Sequence, residues 1–318
     1  MPIHLVLAAG GSAEPPFRFY STVDGLTQSE ATDIDQDRAG HLWFTTRRGL
    51  NRYDGKEFEH YTITDGLRIN DLTSLVVDSE NKVWVGDARG GIAVIQSSRV
   101  LQVIEPFADT GAPIVDMAVA DGRIYALADG IGILEVVVDE NSYRLELLGG
   151  ESIGAKTISV GDNRIWIVGT SGLYEFTPSP TVELRHVAGD IVLAHVGDDG
   201  TVWVADTNNR VGMWVNGEFI ERFRIDTTDG LISLVADADN AVWVATTDEL
   251  VKFDGTMSNP VEAAKTNEKF PGNYDVTSLY VDRENALWLL SESRLIRFLG
   301  SRFRHFELKT GADSQTVW

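Results

Sequence analysis

Cysteine is absent from the chain. That excludes disulfides, thiolate metal sites and cysteine nucleophiles. It does not fix a compartment, because cytosolic proteins and many periplasmic ones do without cysteine. Positive charge is scarce: 27 Lys and Arg face 48 Asp and Glu, for a net charge of −21. Nucleic acids and anionic bilayer surfaces are themselves densely negative, so neither is an expected partner. No stretch approaches the ~20 apolar residues of a bilayer-crossing helix. The six histidines contain no His-x-x-x-His pair, and no Gly-x-Ser-x-Gly elbow occurs. Carboxylates are too numerous for any two to be singled out as an acid–base pair. No catalytic residue, metal ligand or cofactor is therefore assigned.

What is present is a repeat. Hydrophobic residues make up 43% of the chain and charged ones 24%, enough apolar content to bury a core and exclude disorder. Trp43, Trp84, Trp166, Trp203, Trp243 and Trp288 sit in one recurring setting, and Tyr125 replaces tryptophan in a seventh copy. The spacings are 41, 41, 41, 37, 40 and 45 residues. Of the eight tryptophans, Trp214 and Trp318 fall outside the pattern. Each copy reads as four strands. In the first they are Ala31–Gln36, His41–Thr46, Leu50–Tyr53 and Phe58–Thr62, rich in β-branched and aromatic residues and punctuated by Gly, Asn and Asp.

Five copies join their first two strands by four residues ending in Gly or Asn: Asp37–Gly40, Asp78–Asn81, Gly197–Gly200, Asp237–Asn240 and Asp282–Asn285. Those residues tolerate the left-handed backbone that such a turn needs. Asp121-Gly122 and Asp162-Asn163 suit two-residue type I′ turns. A four-stranded unit of about 41 residues cannot cover both its faces alone, so radial stacking is expected. The pattern predicts an all-β fold, a seven-bladed β-propeller of four-stranded antiparallel blades. A length of 318 residues would ordinarily suggest roughly two domains; the repeat predicts one.

The residues Gly25-Leu26, Asp37, Gly40, Leu42-Trp43, Thr45, Gly49-Leu50 and Tyr53-Asp54-Gly55 resemble the two-component-regulator propeller repeat. The second copy matches through Asp65-Gly66-Leu67, Asp78 and Val83–Gly86. The third to fifth are eroded, and the last two partly recover the pattern. The resemblance implies the periplasmic or extracellular sensor region of a hybrid histidine kinase or diguanylate cyclase. It also implies that the chain is not membrane-embedded itself but belongs to a membrane-anchored receptor. No kinase phosphoacceptor region or Gly-Gly-Asp-Glu-Phe-like run is present, so only a sensing part is expected here.

Residues 1–16 read as a leader; the run Ile3–Ala9 resembles a signal-peptide remnant, or equally an ordinary strand or leader. The propeller is assigned to 17–308 and a tail, resembling the start of a further repeat, to 309–318. Phe17–Tyr20 and Phe303–Phe306 both have the form of a fourth strand, one more than closure needs. Residues 17–21 are expected to complete the last blade.

Candidate binding residues lie on the rim formed by the second-to-third strand turns and the inter-blade connections. Blades 1 and 2 place Arg47, Arg48, Arg68 and Arg89 there, whereas blades 5 to 7 place Asp206, Asp248, Glu249, Asp275 and Glu292 there. Arginine forks suit carboxylate, sulfate or phosphate. One reading is a pocket for an anionic ligand or acidic glycan; the other is solvated loop charge paired with Asp65, Asp71 or Asp87. Asn70 and Tyr274, on inter-blade connections, suit a sugar-binding mouth, or in the case of Asn70 simple turn chemistry.

Asp33-x-Asp35-x-Asp37 fails as a calcium loop, because Arg38 and Phe44 stand where Gly and Glu are needed. Asp33 and Asp35 are expected at the central channel or a blade interface. His195 reads as a buried histidine on an inner strand, and His60 as exposed. Three functions remain open at this level. The first is a non-enzymatic sensor that binds a small molecule, an oligosaccharide or a protein. The second is a lyase- or lactonase-like propeller enzyme, and the third is a protein scaffold. Homodimerisation is left open as well.

Overall fold

The computed structural model describes residues 17–139, 142–161, 164–178, 181–228, 230–247, 250–253, 264–265 and 275–298. Within them the chain forms seven four-stranded antiparallel sheets and one short 3-10 turn, Ile63–Asp65. Strand β1 (Phe17–Tyr20) is followed by β2 (Ala31–Gln36), β3 (Leu42–Thr46), β4 (Gly49–Tyr53) and β5 (Phe58–Tyr61), which make blade 1. The next five blades repeat this meander. Blade 7 takes three strands from the end of the described chain and its fourth from β1, which pairs Phe17 with Phe298 and Tyr20 with Leu295. The ring thus closes by joining N-terminal and C-terminal strands, as the first of the two spare strands predicted. Phe303–Phe306 and the proposed leader and tail lie outside the described residues.

Seven apolar clusters hold the ring, each formed between two neighbouring blades. Tyr20, Phe44, Trp288 and Leu290 belong to the one joining blades 7 and 1. Second strands carry most of this packing: Leu42–Thr46, Val83–Asp87 and Leu287–Ser291 are buried at every position. Because both faces of each blade are covered, these strands lack the alternation of a half-exposed sheet. The first strands line the central channel and are less enclosed, as in Leu72–Val77. The run Leu75-Val76-Val77 is continuously apolar, yet only Leu75 is fully buried, because the first strands border the open channel.

The turn chemistry follows the sequence. Gly40, Asn81, Gly200, Asn240 and Asn285 all adopt positive φ, between 60° and 89°. Asp121 and Gly122 do the same, at 50° and 74°. Gly49 is required for a second reason: a Cβ there would stand 2.7 Å from the carbonyl oxygen of Tyr61.

Candidate functional site

The arginine rim is built on tight turns. Arg47 and Arg48 occupy the two-residue link between β3 and β4, and Thr46 Oγ1 accepts the Arg48 N–H at 3.1 Å. Arg89 sits in the equivalent turn of blade 2, its N–H donated to Asp87 Oδ1 at 2.7 Å. All three side chains project into solvent. Arg47 lies 3.6 Å from Glu30, with its side chain 63% exposed. An ion pair so exposed is worth little, so these cations remain available to a ligand.

Arg68 behaves differently. Its Nε and Nη2 donate to both oxygens of buried Asp87, at 2.7–3.0 Å. The same carboxylate accepts the N–H groups of Arg89 and Gly91. The fork is therefore spent inside the protein, where it neutralises a buried charge. Asn70 is also committed: its Oδ1 accepts the Ile63 N–H at 2.8 Å and shapes the connection between blades 1 and 2. Tyr274, Asp248 and Glu249 lie outside the described residues. On the acidic side, Asp206 is fully buried and accepts hydrogen bonds from Asn208, Arg210 and the Arg210 guanidinium. It is therefore a turn anchor, and the contrast between basic and acidic blades is weaker than the raw sequence implied.

The channel is lined by acceptors that reach from one blade to the next. Asp33 Oδ2 accepts the Leu75 N–H at 2.8 Å, and Asp35 Oδ2 accepts that of Val77 at 2.7 Å. Asp116 does the same for Ile158, Ser159 for Val196 and Ser233 for Leu279. The first strand of every blade has one edge without a strand partner, and buried N–H groups there require acceptors. Asp33 and Asp35 thus serve the blade interface. Burial pushes the Asp116 carboxyl up to about 7. Burial likewise raises Asp33, reinforced by the charge of Asp116. His195 lines the same channel, half-buried, and burial pushes its imidazole down to about 4. Among the described residues no group of three His, Asp or Glu side chains is placed to hold a metal ion. His60 is exposed, as expected.

Two clefts open on the opposite rim, away from the arginines. One, of about 110 Å³, lies between blades 1 and 2 beside Trp43 and Arg52. The other, of about 690 Å³, lies between blades 4 and 5 beside Trp166, Arg164, Arg185 and Trp214. Sequence reasoning missed this second cleft. Its one visible signal was Trp214, the tryptophan of the central region that the repeat did not explain.

No protein-family model matches the chain. A stretch of 45 residues is 49% identical to Histidine kinase P4 of Formosa agariphila, covering 14% of this chain and 3% of that protein. The chain therefore spans a small fraction of the length of the kinase it matches. Among solved structures, a catalytically inactive virginiamycin B lyase from Staphylococcus aureus with quinupristin superposes with a TM-score of 0.71 at 16% identity. That match covers 88% of this chain and 98% of the lyase. The extracellular domain of a hybrid two component system from B. thetaiotaomicron superposes with a TM-score of 0.67 at 16% identity, covering 91% of this chain and 42% of that one. The resemblance to two-component propellers is thus met among solved structures. At these identities the likeness establishes the seven-bladed fold, which the lyase shares.

Proposed function

We propose that this chain is the ligand-sensing propeller of an extracytoplasmic receptor in bacterial signal transduction. The observation that carries this reading is the 49% identity of a 45-residue stretch to a histidine kinase, on a ring shared with extracellular two-component domains. In this reading Arg47, Arg48 and Arg89 contact an anionic ligand on the rim of blades 1 and 2, while Arg68 holds the turn that presents Arg89. Ligand binding would act by favouring one of two receptor arrangements. Fold alone does not separate sensors from lyases, and support for lyase-like chemistry is confined to the fold.

A thermal-shift screen of the chain against oligosaccharides, uronic acids and small organic acids tests the proposal. An anionic member should raise the unfolding temperature in proportion to the logarithm of its concentration above Kd. For at least one such ligand the Arg47→Ala, Arg89→Ala double variant should abolish that shift. If every stabilising ligand keeps its shift in the double variant, the rim is refuted; a panel with no stabilising member favours the scaffold reading.

A further inference from the structure

The cleft between blades 4 and 5 differs from its counterpart between blades 1 and 2 by a charge inversion. Register makes the comparison direct. In blade 1, Trp43 is paired with Arg52 and Arg52 with Glu59. In blade 4, Trp166 is paired with Glu175 and Glu175 with Arg185. Arg52 reaches over the Trp43 ring, 5.9 Å from its centre, and donates across the blade boundary to Ser98 Oγ at 3.0 Å. The Arg38 N–H makes a second bridge, to Asn81 Oδ1 at 2.8 Å. Lys252 covers Trp243 and Arg297 covers Trp288 in the same way.

Glu175 cannot play that part. It is shorter, and its oxygens are directed at Arg164, 3.7 Å away, and at Arg185. The strands of blade 4 ending at Gly161 and beginning at Arg164 are joined by two residues, against five between Gln36 and Leu42 in blade 1, so the turn that carries Arg38 in blade 1 is shortened. The cleft also lies over the thinnest of the seven inter-blade cores: six buried apolar residues, against ten to twelve in the others among the described residues. The result is about 690 Å³ in place of about 110 Å³, within the size range of small-molecule sites.

Three features define what would fill it. The indole N–H of Trp166, a residue 3% exposed, is buried without an acceptor among the described residues. The indoles of Trp43, Trp84, Trp243 and Trp288 donate to Asp37, Asp78, Asp237 and Asp282. An unmet buried donor calls for an oxygen from elsewhere. Arg164 and Arg185, each 63% exposed, share the single carboxylate of Glu175, which leaves guanidinium donors for a second carboxylate. Trp214, where blade 2 has Ile95, adds a half-buried indole to the wall, suited to the apolar side of a hydroxylated ring.

We propose that this cleft is a binding site for a uronic acid residue of an oligosaccharide. The sugar carboxylate pairs with Arg164 and Arg185, a ring or hydroxyl oxygen accepts from Trp166, and the ring lies against Trp214. An apolar peptide segment is the weaker fit, because the exposed surface of the cleft is mostly polar. The site is separate from the Arg47, Arg48 and Arg89 rim and does not depend on it.

Titration calorimetry on the chain with α-1,4-linked tetragalacturonate, tetraguluronate and tetraglucuronate tests this, with neutral galactotetraose and inorganic phosphate as comparisons. At least one uronate should bind more tightly than about 1 mM, with galactotetraose and phosphate at least about tenfold weaker. Trp214→Ala and the Arg164→Ala, Arg185→Ala pair should each weaken binding about tenfold or more, and Trp166→Phe by several-fold. Circular dichroism confirms that each variant is folded; the two arginines are exposed enough to be removed without loss of the fold. Arg47→Ala, Arg89→Ala should leave this affinity unchanged. Failure of all three uronates to bind overturns the proposal, as does equal binding of the neutral sugar. Binding lost only in the Arg47→Ala, Arg89→Ala variant overturns it too, and supports the rim instead.

Discussion

At the scale of single residues, the repeat is held by an aspartate that does three things. Asp282 Oδ1 accepts the Ala286 N–H at 2.8 Å and Oδ2 accepts the Trp288 indole N–H at 2.8 Å, while its own backbone N–H and C=O close the turn with Ala286 and Asn285. Asp37, Asp78 and Asp237 repeat the arrangement. The spacing of six residues between Asp and Trp was visible in the sequence; that one carboxylate joins the turn to the blade core was not, because it depends on the turn's folded geometry. Asp282→Ala leaves a buried indole donor and a backbone donor unmet, at about 1–3 kcal/mol each. Urea unfolding should show a loss of about 2–4 kcal/mol, with Asp282→Asn intermediate. A loss under about 0.5 kcal/mol would mean that water replaces the clasp.

At the scale of elements, β1 matters most. Tyr20 stacks on Trp288 with ring centres 5.5 Å apart and meets Tyr53 at the same distance, so it ties blade 7 to blade 1. Phe17 meets Phe298 at 5.2 Å. Tyr20→Ala should cost about 3–5 kcal/mol, as for a buried aromatic removed from a core, measured by denaturant unfolding. A cost below about 1 kcal/mol would argue that another segment closes the ring. The strand's four-residue pattern was legible because it copies the fourth strand of blade 1; its partner was not, since Phe17 and Phe298 are brought together only by closure. The clefts show the same limit. The substitution of Glu175 for a cation is plain in the chain, but its effect on the space beside Trp166 depends on what the next blade contributes.

At the scale of the whole molecule, the ring concentrates buried polar groups in its channel and at its closing seam. There Arg283 donates to the carbonyl oxygens of Gln36 and Asp37, and Tyr280 to Asp35. The channel also makes stability depend on pH in two opposed ways. The unfolded chain protonates His195 near pH 6.5 whereas the folded ring holds it neutral down to about 4, so this group's contribution is lost as pH falls through that window. Asp116 is released near 3.8 when unfolded and near 7 when folded, so its contribution is lost as pH rises through that range. His195→Asn should therefore lose less stability than the parent between pH 6.5 and pH 5 in urea unfolding, and a steeper loss would refute the assignment. By itself the sequence determined the repeat, the blade count, the turn conformations and the closing strand, because each follows from local spacing and backbone preference. Only the tertiary structure decided which arginines are free, what the channel aspartates cap, and where a cleft opens. Those depend on contacts between blades about 40 residues apart, and a linear pattern does not record which side chain reaches across.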